Sequence, residues 1–121
     1  MGTDARHHLG HVGEDLAAEH YRRLGYEVLA RRHRTRYGEL DLVVADADAL
    51  VFCEVKARRL GGEPWDKLTP VKCRQVRRMA SAWLSAARDR PYRARLRCDA
   101  VGVVVDAEGR LVRLEHLEDA F

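Results

Sequence analysis

The residues best suited to chemistry lie in two short β-rich runs: Glu39 and Asp41 in the first, Glu54 and Lys56 in the second. Glu39–Ala45 and Leu50–Lys56 flank Asp46-Ala47-Asp48-Ala49, a hairpin pattern. With the turn centred between Ala47 and Asp48, cross-strand partners have numbers summing to 95. Leu40, Leu42, Val44 and Asp46 then face Val55, Cys53, Val51 and Ala49. The opposite face pairs Glu39 with Lys56, Asp41 with Glu54 and Val43 with Phe52. A slip of one residue would mix the two faces, so the register is well specified.

This register sets Asp41 directly across from Glu54, with Cβ atoms about 5 Å apart, an arrangement in which like charges repel. A cation between them, or a proton on one of them, would relieve the repulsion. A magnesium-sized ion suits the position, because it takes carboxylate oxygens at about 2.1 Å and keeps other positions for water and substrate oxygens. Lys56, on the same face, could hold a phosphate oxygen or the attacking water, and Glu39 could pair with it. The same residues would also suit a solvated outer face on which Lys56 neutralises both acids.

The surrounding elements must hold this hairpin. Residues 1–12 read as a flexible N-terminus and 13–121 as a single domain. From Gly13 a helix is expected, with Leu16, Ala17, Tyr21 and Leu24 at helical spacing and Gly25 as its stop. Tyr26–Ala30 reads as a short strand, Arg31–Arg36 as a basic segment without periodicity, and Arg58–Leu68 as a loop. Thr69 caps a second helix with Pro70 at its first position. Val76, Met79, Ala80, Trp83, Leu84 and Ala87 form its buried stripe. Cys98–Val105 is a near-continuous apolar strand, Leu111–Leu114 another, and Glu115–Phe121 a short helical tail. The order is helix, three-strand meander, helix, two strands, short helix. A right-handed crossover should set the fourth strand parallel to the third, giving an α/β sandwich around a mixed sheet.

Composition narrows the function classes. The chain has 121 residues, 46% of them hydrophobic and 34% charged. It has no apolar run of about 20 residues and no apolar secretory segment, so the expected location is cytoplasmic with no membrane partner. Cys53, Cys73 and Cys98 are odd in number and widely spaced, and read as structural. The net charge of +3 conceals a basic middle: residues 31–99 hold seventeen basic and nine acidic groups. Nineteen of the twenty-two basic residues are arginine. Arginine suits bidentate phosphate contacts, although a genome favouring arginine codons would leave the same signature. Arg34, Arg36, Arg58, Lys72, Arg74 and Arg78 flank the hairpin or lie off the apolar stripe. They are candidates for holding a nucleic-acid backbone without reading sequence. Trp65 could stack on a base or cover the core.

Gly38-Glu39-Leu40-Asp41 followed after twelve residues by Glu54-Val55-Lys56 resembles the active-site signature of the PD-(D/E)xK nuclease superfamily. The chain is most similar to the YraN-like family, whose small bacterial members resemble archaeal Holliday-junction resolvases. Gly13-Glu14, Leu24-Gly25-Tyr26, Phe52-Cys53-Glu54-Val55-Lys56, Lys72 and Asp119-Ala120-Phe121 fall in that family's order. Leu40 stands at the proline of the motif name, and Cys53, Ala57 and His33 replace the expected valine, threonine and asparagine; no candidate ligand is lost. The resemblance implies a restriction-endonuclease-like fold. It also implies Mg²⁺ or Mn²⁺ on Asp41, Glu54 and the Val55 carbonyl, with Lys56 orienting the water that attacks a phosphodiester. Glu14 matches a helix glutamate that reaches the metal, although an acid early in a helix also suits the helix dipole. The implied activity is a metal-dependent nuclease on DNA, branched or flapped DNA included, working as a homodimer because resolvases cut two strands. Two further readings stay open: a non-catalytic nucleic-acid-binding module on the same fold, and a domain whose arginines meet an acidic protein.

Overall fold

A computed structural model describes residues 2–87 and 89–121; Met1, the first residue of the expected leader, lies outside them. Five strands form one sheet in the order β1-β2-β3-β4-β5. They are β1 (Glu27–Thr35), β2 (Gly38–Ala45), β3 (Ala49–Arg59), β4 (Arg95–Val105) and β5 (Leu111–Leu117). β3 and β4 run parallel, and every other neighbouring pair is antiparallel. Helix α1 (Gly2–Arg23) covers one face and helix α2 (Pro70–Ala86), the crossover between β3 and β4, covers the other. This is the expected mixed sheet flanked by helices. Among the described residues no helix is long and apolar enough to cross a membrane.

Two apolar layers account for the arrangement. Ala17, Ala18 and Tyr21 of α1 pack on Leu42, Val44, Val51, Cys53, Val101 and Val103. Val76, Met79, Ala80 and Trp83 of α2 pack on Leu40, Val43, Leu50 and Phe52. The central strands are therefore apolar on both faces because both faces are covered. Thr69 caps α2 through its hydroxyl, which accepts the Lys72 N–H, and Pro70 occupies the first turn. Gly25, at φ +95°, ends α1 with paired bonds from Gly25 N to Arg22 O and from Tyr26 N to Tyr21 O.

Several sequence expectations need correction; among them, Arg58–Leu68, expected as a loop, opens with the last two residues of β3 and holds a 3-10 helix at Pro64–Lys67. The first helix begins at Gly2, so residues 2–12, expected as a loose leader, are helical. Glu14 consequently sits in mid-helix, and the helix-dipole reading of it falls. β1 runs on through Arg31–Thr35, where it remains hydrogen-bonded to β2 as far as the Thr35–Gly38 pair. The helical tail is absent: Glu115–Leu117 continue β5, completing the ladder to Ala100. The Asp119 and Ala120 N–H groups then bond to Asp99 Oδ1 and the Cys98 carbonyl. Seven residues are too few for a helix to outcompete such partners. Finally, the hairpin ladder has the expected register from Ala45–Leu50 to Leu42–Cys53 but stops there. Leu40 packs on the α2 side while Leu42 packs on the α1 side.

At Gly13 α1 lies close against β3. A Cβ there would lie 2.6 Å from the Ala57 Cβ and 3.6 Å from Val55 Cγ1. In an exposed helix Gly→Ala stabilises by about 1 kcal/mol. Here Gly13→Ala should instead destabilise by about 1–3 kcal/mol through overpacking, and adding Ala57→Gly should recover most of the loss in urea titrations. Gain of stability in the single variant would show that α1 is not held this close.

A buried polar junction ties α1 to β4, β5 and the C-terminus. Asp99, fully buried, accepts from the Tyr21 hydroxyl (2.8 Å), His116 Nε2 (2.7 Å), Arg97 Nε (2.8 Å) and the Asp119 N–H (2.9 Å). Burial alone would raise its pKa, but hydrogen bonds from His116, Arg97, Asp119 and Tyr21 outweigh that and hold it well below the usual carboxylate range. A depressed folded-state pKa gives stability that is present above the unfolded pKa of about 4 and drains away as pH falls below it. Asp99→Asn should therefore cost about 3–5 kcal/mol at neutral pH, leaving Arg97 buried without its partner. The gap between wild type and variant in urea midpoints should narrow from pH 4 downward; a gap independent of pH would contradict this role.

Candidate metal centre

The end of the β2–β3 ladder is where the chemistry collects. Beyond Leu42 the strands no longer pair, and the Asp41 side chain takes over: its Oδ2 accepts the Val55 N–H at 2.8 Å. The ladder pairings expected for Asp41–Glu54 and Glu39–Lys56 are thus replaced by a side-chain-to-backbone bond. The site forms in the gap. Burial, followed by the charge of Glu54, pushes the Asp41 pKa up to about 8 despite the opposing Val55 hydrogen bond.

Two further carboxylates join Asp41. Glu14 arrives from α1, admitted by the close approach at Gly13, and Glu39 comes from two residues earlier on β2. Ligand oxygens of Glu14, Glu39 and Asp41 all lie within 4.8 Å of one another. Glu14 is buried and pairs with Arg32 Nη1 at 2.6 Å. Burial raises its pKa, the Arg32 contact opposes that, and neighbouring Glu39 adds to the rise. Opposite ligands of an octahedral ion at about 2.1 Å stand about 4.2 Å apart. The three oxygens therefore need little movement to share one divalent cation. Without a cation they repel, so this donor set fits a hard metal ion.

The other half of the site is already neutralised. Glu54, 4% exposed, offers Oε1 to both Lys56 Nζ and Lys72 Nζ, each at 3.0 Å. Lys56 reaches it from the same strand face. Lys72 reaches it from the first turn of α2, whose position the Thr69 cap fixes. Glu54 stands apart from the three-carboxylate cluster, yet its charge acts on Asp41. The arrangement is bipartite, with acids poised for a cation beside a carboxylate holding two ammonium groups. Such a pair of halves can bind a metal ion and a phosphate side by side.

All five residues expected in the centre, Glu14, Glu39, Asp41, Glu54 and Lys56, come together. The expected division of labour shifts, because Glu39 joins the carboxylate cluster and Lys56 pairs with Glu54 rather than Glu39. Val55 contributes its N–H to Asp41. Lys72, expected on a nucleic-acid backbone, is drawn into the centre. Its position three residues after the Thr69 cap was the available signal. The Arg32–Glu14 pair had none, since Arg32 adopts φ +49° at the far end of the basic segment. Among the other candidate backbone contacts, Arg34 lies 3.9 Å from Glu39, Arg36 sits over the Tyr37 ring, and Arg74 and Arg78 line the flank of α2. Arg58 is turned onto the Ala57 carbonyl, away from them. Trp65 covers β4 at Gly102, where a Cβ would lie 2.8 Å from its ring, and so is not free to stack on a base.

The sequence pattern described as "Uncharacterised protein family UPF0102" matches residues 13–103, a span holding the whole centre. A UPF0102 protein of Mycolicibacterium gilvum is 47% identical over 96% of this chain and 95% of its own length. One from Pelotomaculum thermopropionicum is 42% identical over 98% and 99%, and one from Streptomyces griseus 45% identical over 93% and 95%. With a pattern covering most of its length and full-length relatives at this identity, the chain belongs to the UPF0102 family, the YraN-like family to which its motifs pointed.

Proposed function

We propose that this chain is a Mg²⁺- or Mn²⁺-dependent nuclease that hydrolyses phosphodiester bonds in DNA, branched or flapped DNA among its substrates. The observation that carries the reading is the meeting of Glu14, Glu39 and Asp41 within 4.8 Å, beside Glu54 with its two lysines. Three acids at such spacing, the ionisation of one disfavoured by burial and by the charge of Glu54, are poorly explained as structural. The order of the residues along a helix and a splayed hairpin also fits the PD-(D/E)xK arrangement.

When bound, a divalent cation supplies Lewis-acid stabilisation of the charge that builds on the phosphate. Glu14, Glu39 and Asp41 would hold that cation, with Glu54 beside them. Lys56, 3.0 Å from Glu54, would position the attacking water and stabilise negative charge building on the phosphate. Lys72 holds a non-bridging phosphate oxygen from the opposite wall. The arginines around β1 and α2 retain the polynucleotide by charge. A double-strand cut calls for two copies, and the exposed Leu111 and Val112 on edge strand β5 are apolar surface that such pairing would use.

One observation favours the non-catalytic alternative: both lysines already sit on one Glu54 oxygen, an internally satisfied arrangement that stands without metal. Cleavage separates the two readings. Purified protein with Mn²⁺ or Mg²⁺, offered linear, flapped and branched DNA, should nick or cut at least one substrate. Chelation should abolish the activity, and Asp41→Ala or Lys56→Ala should reduce it about 10²–10³-fold. Intact DNA across all substrates with both metals, or equal cutting by the variants, would overturn the nuclease reading.

A further inference from the structure

The flank of the molecule beside the centre carries a cleft distinct from the carboxylate cluster and the Glu54–lysine half. It lies between the β1–β2 turn and the outer face of α2, has a volume of about 630 Å³, and is lined by His33, Arg34, Arg36, Tyr37, Arg77 and Arg78 among others. Its lining contains four arginines and no carboxylate. Several arginines elsewhere are paired with acids: Arg23 with Glu19, Arg32 with Glu14, Arg97 with Asp99, Arg110 with Asp106, Arg113 with Glu115. Among the described residues Arg36, Arg77 and Arg78 make no ion pair. Uncompensated positive charge gathered in a concavity is an electrostatic trap for a polyanion.

Shape and chemistry narrow the occupant. Arg36 and Arg78 lie 4.9 Å and 5.9 Å from the Tyr37 ring centre, so an aromatic face and guanidinium planes share one wall. Bases stack on such surfaces whatever their sequence. Arg77, Ser81 and Ser85 recur every fourth residue along α2, a ridge of donors at a repeat of about 6 Å, close to the interval between phosphates of an extended strand. A cleft of this size takes a ligand of about two nucleotides, one strand rather than a double helix. The walls are fixed relative to each other, because Gln75 Nε2 of α2 donates to the Tyr37 carbonyl at 2.7 Å. The cleft also leads to the centre: Arg34 is the register partner of Glu39 and lies 3.9 Å from it.

We propose that this cleft binds an unpaired DNA strand next to the scissile phosphodiester, so that the preferred substrate is one with a single-stranded arm. The identity of the occupant rests on the nuclease reading; the existence of a single-strand site does not depend on turnover. The strand leaves the metal centre over Glu39 and Arg34, passes Tyr37, and follows the α2 ridge past Arg77 and Ser81.

The test is fluorescence anisotropy in chelator with labelled oligothymidylate of about 12 nucleotides and a duplex of equal length. Wild type should bind the single strand more tightly than the duplex. Arg77→Ala/Arg78→Ala should weaken single-strand binding about 10-fold or more and flatten its salt dependence by about 1.4 in slope, moving duplex affinity less than about 3-fold. Ser81→Glu, an exposed position where the fold tolerates charge, should reproduce the loss, and melting curves confirm both variants folded. Asp41→Asn should bind the single strand as wild type does. Variants that bind like wild type, an equal loss for duplex and single strand, or no single-strand binding by wild type would each overturn the proposal. Cleavage that persists after any of these results leaves the nuclease reading standing. Binding without cleavage in any substrate removes that reading and leaves the single-strand site.

Discussion

Everything at the centre follows from one backbone requirement: the Val55 N–H must have a partner after β2 parts from β3. A buried donor left unpaired costs about as much as a lost hydrogen bond or more, and the Asp41 carboxylate meets that need at 2.8 Å. In doing so the carboxylate is drawn into a half-buried position beside Glu54, where its own ionisation is disfavoured. The same opening admits Glu14, because Gly13 lets α1 close onto Ala57. A bond that serves the fold thus produces a cluster that works against it. Such local conflict is expected where a site is held ready for a ligand.

Charge is distributed unequally across that cluster. Within the centre Glu54 is the most buried acid and the most completely satisfied, with an ammonium group from β3 and another from α2. Asp41 is satisfied by one backbone donor and opposed by its neighbours, and Glu14 has Arg32 on one oxygen while facing Glu39. The acids with less compensation face each other; the most fully compensated one anchors the lysines. Asp99 on β4 offers the contrast: another buried carboxylate, but with donors from Tyr21, His116, Arg97 and Asp119, and a pKa pulled down instead of up. The contrast separates a carboxylate that holds the fold together from those whose ionisation the fold disfavours.

Much of this was legible in the sequence. The hairpin register, the Thr69-Pro70 start of α2, its buried stripe and the parallel β4 all follow from local periodicity and turn chemistry, which single segments carry in full. The residues of the centre were legible through Asp41, Glu54 and Lys56 and the family order around them. What escaped depended on long-range partners. Alternation fixes which residues face each other but is silent on where two strands part, so the Asp41–Val55 bond and the reversal of Leu40 were out of reach. His7, His8 and His11 hide the helical stretch before Gly13 because they interrupt any apolar stripe there. The Arg31–Arg36 run has no periodicity because β1 is an edge strand whose charges face solvent or acids of α1. The role of Lys72 needed the packing of α2 against β3. Asp99 did leave a trace, as a lone acid in an otherwise apolar strand.

On the proposed reading Glu14, Glu39 and Asp41 are arranged for a cation at some expense of stability. Thermal unfolding of wild type and Asp41→Asn, each with chelator and with Mn²⁺, tests it most directly, since asparagine keeps an oxygen for the Val55 N–H and removes the charge. Without metal, the variant should melt a few degrees above wild type, about 1 kcal/mol of relieved repulsion. Mn²⁺ should raise the melting point of wild type and leave the variant nearly unmoved. A variant less stable than wild type in chelator, with no Mn²⁺ shift in either protein, would contradict the account.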